Sequence, residues 1–116
     1  MAKHQGGCQC GKVRFEVEVG LEELISCNCS RCGKLGSVLA FAGEEDFKLL
    51  QGQEALTEYR FNTHKITHYF CADCGIESFG RGEGPGGVKM AAINVRCLDD
   101  VDVFALEPTE VNGKAF

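Results

Sequence analysis

No stretch of the 116 residues stays apolar long enough for a membrane-spanning helix, which needs about 20 such positions. Met1-Ala2-Lys3-His4-Gln5-Gly6-Gly7 has none of the apolar core of a secretory signal. The chain is therefore expected in the cytoplasm, where cysteines stay as thiols or bind metal. The 12 Lys and Arg are outnumbered by 17 Asp and Glu, for a net charge of −5, and they form no basic block. That excludes nucleic acid as an obvious partner, because its binding rests on clustered positive charge. There is no long amphipathic helix, internal repeat or interdomain linker. The expectation is one domain over residues 1–116, with a single modest core.

Against these absences stand eight cysteines. Three of them fall within Cys27-Asn28-Cys29-Ser30-Arg31-Cys32. A Cys27–Cys29 disulfide would be strained, whereas one metal ion can be chelated by all three sulfurs. In an extended segment residues i and i+2 point to the same side, and a turn brings the third sulfur back. Three protein ligands leave a fourth coordination position, as in zinc sites that carry out chemistry. Two further pairs, Cys8/Cys10 and Cys71/Cys74, each offer two sulfurs, and together they complete a tetrahedral four-cysteine site. Such a site contributes to folding directly.

Cys97 is left over. If it reached the triplet, that ion would be saturated and structural; otherwise the site stays open to a thiol. The simplest reading is a small buried cysteine at the end of a strand. Zinc held by three thiolates can bind an incoming thiol, lower its pKa and present it to an electrophile. Glutathione or another small thiol suits that chemistry, and Arg31 can pair with a substrate carboxylate. Lys34 is a weaker candidate. The histidines read as structural: His4 in a frayed terminus, His64 in a turn, His68 in a strand near Cys71. No general base is evident.

Hydrophobic periodicity points to short strands. Val13-Arg14-Phe15-Glu16-Val17-Glu18-Val19 alternates apolar and charged residues and is the clearest strand. Shorter strands are expected over residues 21–26, 38–42, 54–62, 66–70, 76–79 and 88–95, the apolar run 38–42 as a buried one. Residues 33–37 read as loop or a single helical turn, 44–46 as an acidic turn, and 97 onward as a less regular tail. Arg81-Gly82-Glu83-Gly84-Pro85-Gly86-Gly87 is expected to be the most flexible stretch. The spacing of strands and turns indicates a mainly antiparallel β fold.

Several motifs, in order, resemble the glutathione-dependent formaldehyde-activating enzyme family, which includes centromere protein V-like domains. They are Gly7-Cys8-Gln9-Cys10-Gly11-Lys12-Val13, the Cys27–Cys32 hexapeptide, Glu45-Asp46-Phe47-Lys48-Leu49-Leu50-Gln51-Gly52, Phe70-Cys71-Ala72-Asp73-Cys74-Gly75 and Asn94-Val95-Arg96-Cys97-Leu98. The resemblance implies a β-tent of short strands organised around a zinc site, with two zinc ions in all. Cys8, Cys10, Cys71 and Cys74 would hold the structural ion. Cys27, Cys29 and Cys32 would hold the second, where glutathione acts. It further implies a carbon–sulfur lyase that equilibrates formaldehyde and glutathione with S-hydroxymethylglutathione. Two other functions compete with it. One is a non-catalytic zinc module that binds protein through a sheet face. The other is a B-type methionine sulfoxide reductase, suggested by Arg96-Cys97, although without tryptophan its aromatic pocket has no obvious source.

Overall fold

The computed structural model describes residues 2–61 and 66–113, apart from the side chain of Pro85. Among the described residues ten strands form two sheets, so the fold is mainly β. The first sheet has three strands in the order β1-β2-β5: β1 is Ala2–Gly7, β2 is Arg14–Val19 and β5 is Phe47–Gln51. The second comprises β3 (Ile25–Cys27), β4 (Leu39–Gly43), β6 (Leu56–Tyr59), β7 (Thr67–Cys71), β8 (Glu77–Glu83), β9 (Lys89–Asn94) and β10 (Thr109–Val111). Their order across that sheet is β10-β3-β4-β9-β8-β7-β6. One helical turn, α1, spans Cys32–Leu35. No helix among the described residues is long and apolar enough to cross a membrane.

Alternation along β2 works as expected, with Phe15, Val17 and Val19 buried and Arg14, Glu16 and Glu18 turned outward. Phe15 joins Phe47 and Phe79 in an aromatic centre between the sheets, at ring-centroid distances of 4.7 to 6.0 Å. Ile93, Val95 and Ala91 from the β9 region complete this core with no exposed surface.

Four local expectations change. His4 is not frayed: it lies in β1, paired along its length with β2, and its Nδ1 is 3.0 Å from both carboxylate oxygens of Asp100. The tail beyond Cys97 contains β10, which pairs in parallel with β3, so the second sheet is mixed rather than wholly antiparallel. The apolar run 38–42 is buried on one face only: Ala40 and Ala42 point inward, while Phe41 is 44% exposed. The glycine-rich stretch is strand as far as Glu83, because Arg81 and Glu83 pair with Ala91 and Lys89. Gly86 and Gly87, at φ of 74° and 77°, then make the turn into β9. His64 and the end of the strand expected over 54–62 lie outside the described residues.

Candidate metal centres and the adjoining cleft

The two sheets meet at one group of sulfurs. Cys8 and Cys10 follow β1, and Cys71 and Cys74 occupy the turn from β7 to β8. Each pair sits in a tight turn closed by backbone bonds, from Gly11 N to Cys8 O (3.3 Å) and from Gly75 N to Cys71 O (2.8 Å). Gly11 and Gly75 have φ of 83° and 80°, a region that side chains with a Cβ adopt at a cost. The four Sγ atoms lie within 4.8 Å of one another, with Cys8–Cys10 at 3.5 Å and Cys10–Cys71 at 3.7 Å. Sulfurs at about 2.3 Å from a tetrahedral ion stand about 3.8 Å apart, so the spacing fits one ion. Lys12 and Asp73 form an ion pair across the two turns.

The protonation of these thiols argues the same way. Burial would raise Cys74, but N–H groups from Ile76 and Cys10 and the neighbouring sulfurs bring it down to about 6. The Lys12 N–H lowers Cys10, yet desolvation and the sulfurs of Cys8, Cys71 and Cys74 push it up to about 11. Four thiols crowded this closely cannot all ionise alone, and a cation removes the conflict.

Cys27, Cys29 and Cys32 form a second group, again with all Sγ atoms within 4.8 Å. Cys27 ends β3 and Cys32 begins α1, so the change from strand to helical turn makes the sulfurs converge. The Cys29 N–H points at Cys27 Sγ (3.4 Å) and the Cys32 N–H at Cys29 Sγ (3.3 Å). Burial, reinforced by Cys29, pushes Cys32 up to about 12. Burial also opposes ionisation of Cys29, but N–H groups of Cys32 and Arg31 outweigh it and lower that thiol. The protein thus contains two cysteine groups that can each hold a metal ion. All eight cysteines are free of disulfides.

Cys97 joins neither group. Its Sγ lies 4.0 Å from Glu77 O, and burial, with negative charge from Cys8, Cys74 and Glu77, pushes it up to about 12. A B-type reductase would use an accessible nucleophilic sulfur, and this environment suppresses the thiolate.

The C-terminal strand closes over the triplet. The Asn28 N–H reaches Val111 O at 3.2 Å, and Asn28 Nδ2 donates to Asn112 Oδ1 at 3.1 Å. A Cβ on Gly113 would collide with Cys27 Sγ and lie 3.1 Å from Cys29 Cβ. A side chain there requires Cys27 Sγ to move.

Arg31 meets a carboxylate belonging to the protein itself. Its Nε and Nη2 donate to Glu77 Oε1 at 2.9 and 2.7 Å, and its guanidinium lies 4.5 Å from the Tyr59 ring centroid. The other oxygen, Glu77 Oε2, accepts from His68 Nδ1 at 3.2 Å. Burial would raise the Glu77 pKa, but these bonds from His68 and Arg31 hold it below its ordinary value. His68 stacks on Phe61 with ring centroids 5.3 Å apart. Glu77 and His68 line one cleft of about 320 Å³ together with Cys27, Cys29 and Cys32. Sequence reasoning missed Glu77. The available signal was a lone carboxylate between Ile76 and Phe79 in a strand, which needs a cationic partner once buried.

A sequence model described as glutathione-dependent formaldehyde-activating enzyme matches residues 3–112. The structure is similar to the crystal structure of a Rhodobacter sphaeroides protein, a structural-genomics target. The TM-score is 0.82 at 32% identity, covering 91% of this chain and 97% of that one. With this match over nearly its whole length, the chain belongs to the glutathione-dependent formaldehyde-activating enzyme family.

Proposed function

We propose that the protein is a zinc-dependent carbon–sulfur lyase acting on the adduct of an aldehyde with glutathione or another small thiol. The observation that carries this reading is the convergence of Cys27, Cys29 and Cys32 on one wall of a cleft, without Cys97 among them. Thiolates in a tetrahedral set favour zinc among the common ions. Cys8, Cys10, Cys71 and Cys74 would hold a closed structural ion, and the triplet a second one. When bound by three thiolates, zinc supplies a Lewis-acid position that favours the thiolate form of an incoming thiol. Lys34 and Arg31, the latter already paired with Glu77, form the cationic side of the site toward a substrate carboxylate. A reducing, cytoplasmic setting keeps the eight cysteines available, and the chain acts as one zinc-binding domain.

The protein's own groups handle the proton. Glu77 fixes hydrogen on His68 Nδ1, which leaves Nε2 with its lone pair as the proton acceptor. In adduct breakdown, Nε2 takes the hydroxyl proton and the C–O bond becomes C=O. The C–S bond breaks with its electron pair on sulfur, and the proton passes from Nε2 to that sulfur. Thiol and aldehyde leave, and the imidazole is neutral again. Adduct formation is the reverse.

Because thiols add to aldehydes without a catalyst, the test is a rate above the blank that saturates with glutathione. Cys32→Ser is expected to abolish it, while Cys97→Ser retains it. A rate equal to the blank, or one lost only with Cys97→Ser, would overturn the reading.

A further inference from the structure

The cleft beside the triplet is larger and more apolar than formaldehyde requires. A water molecule accounts for about 30 Å³ of liquid volume, and formaldehyde is little larger. It would fill on the order of a tenth of the roughly 320 Å³ available. That volume lies at the lower end of the range for organic ligands, about 300–1,000 Å³. The walls match such a ligand. Ile25 faces Leu39 across β3 and β4, and Phe41 faces Ala92 across β4 and β9. Ile66 and Val111 add to the lining. Phe41 and Ile66 are 44% and 50% exposed, large apolar surfaces that a ligand would cover. The polar lining consists of the three cysteines, His68, Glu77 and Asn94.

Charge divides the ligand in two. The ionised side chain among the described lining residues is Glu77, already held by Arg31. Among the described lining residues, carboxylates of a thiol such as glutathione find no compensating cation, and burying an unpaired charge is costly. A second depression, of about 330 Å³, shares Phe61 with the cleft and is lined by Arg31, Lys34 and Ser30. That surface suits the acidic body of the thiol. The cleft is then left for the carbon substituent on the other side of the sulfur.

Resting on the lyase reading, we propose that the aldehyde carries an apolar substituent, of the size of hexanal or benzaldehyde. The substrate is then R–CH(OH)–S–R′, cleaved to R–CHO and HS–R′, with R seated against Phe41, Ala92 and Ile66. The proton follows the route through His68 already given, and no oxidant or reductant is consumed.

Thioethers of glutathione test the seat without turnover. Calorimetric titration of the zinc-loaded protein with S-methylglutathione and S-hexylglutathione measures what the added methylenes contribute. A fully buried methylene improves affinity about fourfold. The hexyl compound is therefore expected to bind more tightly by at least about tenfold, even with most of its chain only partly covered. Ala92→Phe, which fills the cleft, and Phe41→Ser, which removes a half-exposed wall, are each expected to shrink that ratio. Equal affinities, no binding of either thioether, or a ratio unchanged in both variants would overturn the apolar seat. Glutathione-saturable turnover of formaldehyde with equal thioether affinities would sink this proposal and leave the lyase reading standing. A strong hexyl preference without turnover of any aldehyde adduct would sink the lyase reading and the aldehyde assignment with it, and leave only the apolar seat standing.

Discussion

Replacing Glu77 with Gln keeps the shape of the side chain and removes its charge. The Glu77 and His68 side chains are 10% and 11% exposed, and that of Arg31 22%, so the bonds lost lie mostly out of water. Hydrogen bonds to a charged group contribute about 1.5–3 kcal/mol each, and breaking a buried ion pair costs about 3–5 kcal/mol. Arg31 keeps its contact with Tyr59 and some hydration, and glutamine retains one acceptor. The expected loss is therefore about 2–3 kcal/mol at neutral pH. With a urea m-value of about 1–3 kcal/mol per molar, the unfolding midpoint should fall by about 1–2 M at saturating zinc.

The pH dependence has a definite sign. The Glu77 pKa is lower in the folded protein than its ordinary 4.5, so its stabilisation is fully present above that value. It fades as acid protonates the folded carboxylate. The gap between wild type and Glu77→Gln should narrow below about pH 4.5. A midpoint shift under about 0.3 M, or a gap that widens in acid, would refute the account of this ion pair. Aldehyde-adduct turnover should fall as well, because His68 loses the partner that sets its tautomer.

Gly113→Ala should reduce bound zinc from two ions toward one, since overpacking of about 1–3 kcal/mol falls on Cys27 while the four-cysteine group is untouched; unchanged stoichiometry by elemental analysis would count against the close packing. Cys71→Ser, or a strong chelator, should abolish the fold as read by near-ultraviolet circular dichroism. The apparent binding energy of a structural zinc, about 10–16 kcal/mol, matches or exceeds the whole stability of a typical domain. A native spectrum without metal would contradict that. Asp100→Asn should cost only about 0.5–1 kcal/mol, because Asp100 is 59% exposed although His4 is buried; a midpoint drop several times larger would show that this link anchors β1 far more strongly.

The cysteine groups were legible in advance because metal chelation imposes short spacings that survive as C-x-C and C-x-x-C in the chain. The strand over Arg14–Val19 was equally plain, since one buried face writes a period of two into the sequence. β1 was not, for Lys3-His4-Gln5-Gly6-Gly7 has no apolar rhythm; it is a strand because β2 and Asp100 hold it. β10 spans three residues, and its pairing with β3 depends on tertiary contact rather than propensity. Arg31 and Glu77 stand 46 positions apart, so nothing local announced that they meet. The cleft was hidden for the same reason: Phe41 looks like core until Ala92 and Ile66 are found beside it on an open face.

The four-sulfur group also bears on how the chain matures. Among the described residues no strand ladder joins the two sheets; an isolated bridge ties Gly6 of β1 to Leu98, in the segment after β9. Each sheet's end contributes one pair of sulfurs, so an ion held by all four would also dock one sheet on the other. Protein synthesised under metal starvation would have its halves undocked, with Phe15, Phe47 and Phe79 in water and strand edges open to neighbours. With such an ion, metal supply would be a checkpoint between productive assembly and aggregation.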